Sequence, residues 1–348
     1  RPEWMISDIA ILSSRAINVP IYPTLPAVQI EHLLNNAGVK IIILSNKEQL
    51  NKLKEIVHRV PSLEGIVVID LDEPETETLI NYHTLSAKGA KAWQQGPLKY
   101  QKIRKQVQAE DVATIIYTSG TTGAPKGVML SHSNIVANIL DLCEVLYFDR
   151  RDVVLSFLPL SHIFERTADY LMFFRGVSLA YAESIDKVPV NMLEVRPTVV
   201  ACVPRFFEKL HNRIMESRQQ SSGLKSLISE WAFGVGRRYM EYIVKGAPPP
   251  AILSLQKYLA SNLVFSKLKN RLGGRLRFFI SGGAPLDKNL AEFFFSIEIL
   301  ILEGYGLTET SPVITVNRPN AFKFGTVGLP LESLEVKLTD DGEILTRG

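Results

Sequence analysis

The sequence predicts an α/β fold built on parallel sheets flanked by helices, and three observations lead there. Apolar runs rich in Val, Ile and Leu alternate with segments of helical spacing along most of the chain, the order that βα repeats require. Several runs, such as residues 65–70 and 299–302, are nearly continuous in apolar character, which suits strands covered on both faces. A length of 348 residues with 46% hydrophobic content exceeds one ordinary core and implies two or three subdomains.

Taken in order, Trp4, Ile9 and Leu12 have helical spacing, residues 18–22 read as a strand, and Ile30, Leu33 and Leu34 mark a second helix. Strands are expected at 40–44 and 65–70, with a helical segment at 47–59 between them. Residues 72–105, with an acidic run at 72–77 and Gly96-Pro97, read as surface connection. A strand at 112–116 follows, then a helix carrying Ile135, Ile139, Leu142 and Leu146 that Ser131 or Ser133 can cap. Further strands are expected at 153–158, 177–181, 198–203 and 276–280. Residues 204–245 read as long amphipathic helix broken near 221–223, and 246–250 as a rigid proline connection. A helix at 287–297 precedes the run at 299–302. From Thr326 onward short alternating runs predict antiparallel β structure. The domain reading is a first α/β subdomain at 1–110, a second at 111–325, and the start of a β-rich part at 326–348.

Composition excludes several functions. The 39 Lys plus Arg nearly balance the 36 Asp plus Glu, so nucleic acid is not expected as a partner. Cys143 and Cys202 lack C-x-x-C spacing and read as buried free thiols of a reducing compartment. The six histidines have no metal-ligand spacing, so any metal should be held by oxygen. No apolar stretch approaches the roughly 20 residues of a membrane span, and no signal-peptide pattern opens the chain. The expectation is a soluble, cytoplasmic protein, with peripheral contact at a membrane left open and no oligomeric state assigned.

The most informative stretch is residues 117–127, Tyr-Thr-Ser-Gly-Thr-Thr-Gly-Ala-Pro-Lys-Gly. Gly120, Gly123 and Gly127 let a backbone approach an anion; Thr118, Ser119, Thr121 and Thr122 supply hydroxyl donors; Lys126 supplies a positive charge. The G-x-x-x-x-G-K-[ST] spacing is absent. A long polar hairpin is the plainer alternative. Gly282, Gly283, Ala284 and Pro285 follow a predicted strand, where ligands of open α/β sheets bind, or where a plain strand-to-helix turn would lie. In residues 303–310, Gly304 and Gly306 bracket Tyr305, a flat face for a base, and Thr308 and Glu309 offer a hydroxyl beside a carboxylate. A carboxylate near polyphosphate calls for Mg²⁺, whereas a capped helix start is the alternative. His162 opens a predicted helix after a strand end, and a lone histidine is as readily structural as catalytic.

These motifs, in this order, resemble the signature segments of the adenylate-forming (AMP-binding) superfamily. Residues 158–166 and 203–209 resemble its long-chain fatty acyl-CoA synthetase branch. The resemblance implies the large amino-terminal domain of that fold, with parallel sheets, a β-barrel-like part, and the family's small carboxy-terminal domain lying beyond Gly348. It implies ATP-dependent activation of a long-chain fatty acid to acyl-AMP with loss of pyrophosphate, then transfer to coenzyme A. By position, residues 118–123 and Lys126 would handle phosphates; Gly283, Ala284, Pro285, Tyr305 and Gly306 would receive adenine; Thr308 would meet the α-phosphate; Glu309 would hold Mg²⁺; and His162 would lie near the acyl carboxylate. Three alternatives stand beside it: adenylation for a carrier-protein thiol, adenylation of an aryl acid, and a non-catalytic nucleotide- or acyl-binding scaffold.

Overall fold

The computed structural model describes residues 1–118 and 125–348. Their contacts group into two compact units, residues 1–135 with 159–162 and residues 136–158 with 163–348.

In the first unit, α1 (Pro2–Ser13) and α2 (Ala27–Ala37) precede β1 (Ile41–Leu44), α3 (Lys47–Lys54), β2 (Gly65–Val68) and β3 (Leu79–Asn81). The three strands form a parallel sheet in that order. Ile30, Leu34, Ile42, Leu53 and Ile56 close a small core beneath it. Residues 18–22 form no strand: Asn18 makes one isolated bridge to Thr114, and Pro20 and Pro23 remove the donors a ladder needs. The expected connection at 72–105 contains, besides β3, two exposed helices, α4 (Tyr82–Gln95) and α5 (Pro97–Arg104). The Gly96-Pro97 pair read as a loop marker is their boundary, with proline at the first position of a helix, where no amide is missed. Then β4 (Val112–Thr118) and β5 (Lys126–Ser131) pair antiparallel.

The helix α6 (His132–Val145) follows directly. Ser131 is its cap: Ser131 Oγ accepts the Asn134 amide at 3.2 Å, and Asn134 Oδ1 accepts the Ser131 amide at 2.9 Å.

The second unit continues with β6 (Val153–Ser156), α7 (Ile163–Arg175), β7 (Ser178–Tyr181), α8 (Val188–Val195), β8 (Val199–Cys202), α9 (Pro204–Gln219), α10 (Leu224–Val244), α11 (Ala251–Ala260) and α12 (Ser266–Asn270). Then come β9 (Phe278–Ser281), α13 (Lys288–Ser296), β10 (Ile301–Gly306), β11 (Val313–Val316), β12 (Leu329–Pro330), β13 (Glu335–Leu338) and β14 (Ile344–Arg347). Seven of these strands form one sheet, ordered β12-β11-β10-β9-β8-β6-β7. The run β7-β6-β8-β9-β10 is parallel, and β11 and β12 extend it antiparallel. Leu155, Val200, Cys202 and Phe279 of the sheet pack with Phe207 of α9, Val235 of α10 and Phe294 of α13. Phe207 meets Phe279 edge-on at 5.3 Å, a geometry aromatic rings favour. The antiparallel character expected after Thr326 is present in β12 and in the β13–β14 ribbon; among the described residues these strands do not close a barrel.

Between α13 and β10, Glu298 adopts a left-handed φ of 66°. Its carboxylate accepts from Lys257 Nζ at 2.5 Å, Lys269 Nζ at 2.6 Å and Ser261 Oγ at 2.9 Å. Burial opposes ionisation there, yet the two ammonium groups hold the Glu298 carboxyl below its ordinary pKa.

Candidate functional site

Strand order marks the edge where a site is expected. In the second unit the chain leaves β6 toward one edge, adding β7, and then returns to add β8, β9 and β10 on the other. Ligands of such sheets gather at the carboxyl ends beside that reversal. Those ends lead into residues 157–162, Val203, residues 282–285 and residues 307–310, three of the four segments that carry candidate residues.

Register aligns two of them. Ser281 sits opposite Glu303, so residues 282–285 and Tyr305 leave neighbouring strands at nearly the same level. Gly283 takes a left-handed φ of 81°, which a side chain would strain, and Gly283, Ala284 and Pro285 are solvent-exposed. Tyr305 is half-buried and pairs with Thr315 of β11, and the register shifts between Tyr305 and Gly306. A Cβ on Gly306 would stand 1.9 Å from the Pro312 carbonyl oxygen, so only glycine fits. Thr308 and Glu309 then form one 3₁₀ turn, Thr308 half-buried and Glu309 exposed. Thr310 closes it: its Oγ1 accepts the Leu307 amide at 2.9 Å and lies 2.6 Å from the Pro312 carbonyl. The plain helix-start reading is therefore met locally, and it leaves both Thr308 and Glu309 directed by a rigid turn.

In the first unit the β4–β5 hairpin sets Thr118 opposite Lys126, one half-buried and the other exposed. Ser119, Gly120, Thr121, Thr122 and Gly123 lie outside the described residues. Gly127 belongs to β5, where a Cβ would meet Ile115 Cγ2 at 2.8 Å. Packing within the hairpin is thus a reason for glycine at this position. His162 stands just before α7, its amide donating to the Pro159 carbonyl at 2.9 Å. Partial desolvation lowers the pKa of its imidazole, so the ring is neutral at pH 7 and able to accept a proton.

Sequence reasoning missed a buried acidic group beside this segment. Glu165 Oε1 accepts from Ser156 Oγ at 2.8 Å and from the amides of Phe157 at 3.0 Å and Leu158 at 3.3 Å. Asp169, one helical turn on, lies 3.3 Å from the same Ser156 hydroxyl. Burial, with Asp169 adding repulsion, pushes the Glu165 carboxyl up to about 8, and burial pushes Asp169 up to about 6. A protonated Glu165 therefore fastens the carboxyl end of β6 to α7. The i, i+4 pair Glu165 and Asp169 was the available signal, but such pairs usually face water. Cys202 is a fully buried free thiol whose pKa burial raises, and Cys143 is also free.

A magnesium ion fits what is present. Among the described residues no three His, Cys, Asp or Glu gather as a metal cage, and Glu309 is an exposed carboxylate with no ion pair to another described residue. One carboxylate with substrate phosphates is the usual magnesium donor set.

Comparison with known proteins shows the family. The family described as AMP-binding enzyme matches residues 1–348. Long chain acyl-CoA synthetase 6, peroxisomal, of Arabidopsis thaliana is 34% identical over 354 residues, covering 99% of this chain and 48% of that protein. The long-chain-fatty-acid–CoA ligase FadD15 of Mycobacterium bovis is 33% identical, covering 100% and 56%. The chain thus spans about half the length of the curated relatives it matches. Among solved structures, a long-chain-fatty-acid-CoA ligase of Archaeoglobus fulgidus superposes with a TM-score of 0.66 at 20% identity, over 100% of this chain and 61% of that one. The anthranilate CoA ligase AuaEII, in complex with anthranoyl-AMP, has a TM-score of 0.66 at 21% identity, over 99% and 56%. At these identities the structures establish the α/β fold alone.

Proposed function

Because the chain belongs to the AMP-binding enzyme family, we propose that the complete protein activates a long-chain fatty acid with ATP and passes the acyl group to coenzyme A. A carboxylate has oxide as its leaving group and is a poor acyl donor. Attack of the fatty acid carboxylate on the α-phosphorus of ATP releases pyrophosphate and gives acyl-AMP. The coenzyme A thiol then attacks the acyl carbonyl, and AMP leaves. Two anions must meet in the first step, so donors and cations dominate it.

The observation that carries this reading is the row of segments at the carboxyl edge of the parallel sheet, Gly283–Ala284–Pro285, Tyr305 and Thr308–Glu309. In the proposal the half-buried Tyr305 ring stacks on adenine against the exposed backbone of Gly283, Ala284 and Pro285, with Gly306 allowing the turn beneath. Thr308 donates to the α-phosphate. Thr118, Ser119, Gly120, Thr121, Thr122, Gly123 and Lys126 hold the departing phosphates. Neutral His162 orients the reacting carboxylate. Glu309 holds Mg²⁺, which when bound neutralises phosphate charge. The names of the relatives support the long-chain acid as substrate. The functional partition into 1–110, 111–325 and 326–348 goes with this reading, as does a cytoplasmic enzyme that touches the membrane from which its substrate comes. No helix among the described residues is long and apolar enough to cross a membrane.

The test is ATP–pyrophosphate exchange in the complete protein with palmitate, octanoate and benzoate. Glu309→Gln is expected to lower palmitate-dependent exchange by about 100-fold or more with the melting temperature unchanged. Exchange near that of the parent protein removes Glu309 from the site, and preference for benzoate replaces the long-chain reading with an aryl one.

A further inference from the structure

The outward face of α11 has the wrong chemistry for water. Its sequence, Ala-Ile-Leu-Ser-Leu-Gln-Lys-Tyr-Leu-Ala, carries one charge. Leu253 and Ala260 are buried, and Lys257 is drawn inward to Glu298 and lies 4.7 Å from the Phe265 ring centre. What remains outside, at spacings of three and four, is Ile252, Leu255, Tyr258 and Leu259, exposed by 65%, 55%, 66% and 44%. Leu263 on the next turn is also exposed. A helix apolar on both its inner and outer faces is ordinarily covered on both, and a contiguous exposed apolar face marks an interaction site.

Charge identifies the occupant. The elements that flank α11 in the chain carry exposed basic residues, Arg237, Arg238 and Lys245 in α10 and its end, and Lys267 and Arg271 in α12 and its end. Arg238 reaches α11 directly, with Nη2 3.4 Å from Gln256 Oε1. Between residues 237 and 271 the only acidic residue is Glu241, in a chain whose whole formal charge is +3. A second copy of the chain would set one basic rim against another. An anionic bilayer accepts both features, apolar side chains among its acyl chains and ammonium and guanidinium groups among its phosphates.

We propose that α11 is the membrane-docking face of this protein, lying flat in the headgroup region of an anionic bilayer with the rims of α10 and α12 on its phosphates. The inference rests on the long-chain reading above, since such an acid partitions into lipid, and it names the surface that reading lacks.

The experiment is sedimentation of the full-length protein with phosphatidylcholine vesicles, with and without phosphatidylglycerol, in the absence of ATP and fatty acid. Binding is expected on the phosphatidylglycerol vesicles, weaker on phosphatidylcholine alone, and falling with added salt. Leu255→Glu, at a position open to solvent, should melt like the parent and bind about tenfold more weakly or worse. Tyr258→Trp serves as a second readout, its added fluorescence moving to the blue on vesicles. Undiminished binding by Leu255→Glu, absence of that blue shift, or no vesicle binding by the parent overturns the proposal. A parent dimer that Leu255→Glu dissociates, without vesicle binding, gives the face to a second copy and overturns it too. Since no catalysis is read, docking without acyl-AMP formation would sink only the enzymatic reading.

Discussion

Glu165 joins burial, protonation and position in one side chain. Its carboxyl, at about 8 against an ordinary 4.5, holds its proton in the folded state where the unfolded chain has lost it. The folded protein therefore binds more protons between those values, and stability declines as pH rises from about 4.5 through about 8. Asp169, raised from 3.8 to about 6, adds a decline at the lower end of that window. Glu165→Gln keeps a carbonyl oxygen for the Ser156 hydroxyl and the Phe157 and Leu158 amides while removing the titration. Urea unfolding at several pH values should show a flatter profile for Glu165→Gln, with its advantage over the parent greatest near pH 8. A profile parallel to the parent's would assign the decline elsewhere. Glu165→Ala leaves those amides unpaired and should cost about 2 kcal/mol or more at acidic pH. The sequence displayed His162 plainly, because a histidine after a strand end is conspicuous. It hid Glu165, because only the pairing of β6 with β7 and β8 encloses that helix face.

Elements differ in how much their own residues reveal. The strands at the sheet centre were legible because Val199–Cys202 is apolar throughout, Phe278–Ser281 is apolar up to its last residue, and both are buried throughout. The helices α4 and α5 were not, since neither buries a residue and their polar composition matches that of loops. Residues 18–22 showed the opposite failure, β-branched character defeated by two prolines. The exposed face of α11 drew no notice in sequence, since nothing in the composition of Ile252, Leu255 and Leu259 separates them from the buried Leu253. For β10 the sequence read Gly304 and Gly306 as bracketing Tyr305 to leave its face open, whereas Gly306 is also demanded by the Pro312 backbone beside it. Gly306→Ala must displace the Pro312 backbone and is expected to destabilise by about 2 kcal/mol or more, read as a lower thermal midpoint. A midpoint equal to the parent's would mean that the turn yields freely.

At the scale of the whole molecule, the segments proposed to receive the nucleotide come from separate βα repeats, and a ligand spanning them should tie those repeats together. A nonhydrolysable palmitoyl-AMP analogue at about 100 times its dissociation constant should add about 2.7 kcal/mol to unfolding. Acetyl and benzoyl analogues at the same concentration should add less, and equal shifts from all three would deny a long acyl pocket. The motif order along the chain made the family legible because glycine, hydroxyl and charged residues cluster in each segment, where composition speaks directly. Sheet order was not legible, because it depends on which strands cross over.

That crossover has a consequence during synthesis. Cys202 and Ser281 are partners in the middle of the sheet although about 80 positions separate them, a closure costing on the order of 4 kcal/mol in chain entropy. The strand β8 emerges first, then four helices, and only afterwards its neighbour β9. At about 5–20 residues per second, translation leaves one apolar edge of β8 waiting for roughly 4 to 16 seconds. A ribosome stalled within α10 or α11 would prolong that interval, and the nascent chain would present an open parallel strand to whatever chaperone or neighbouring chain reaches it first.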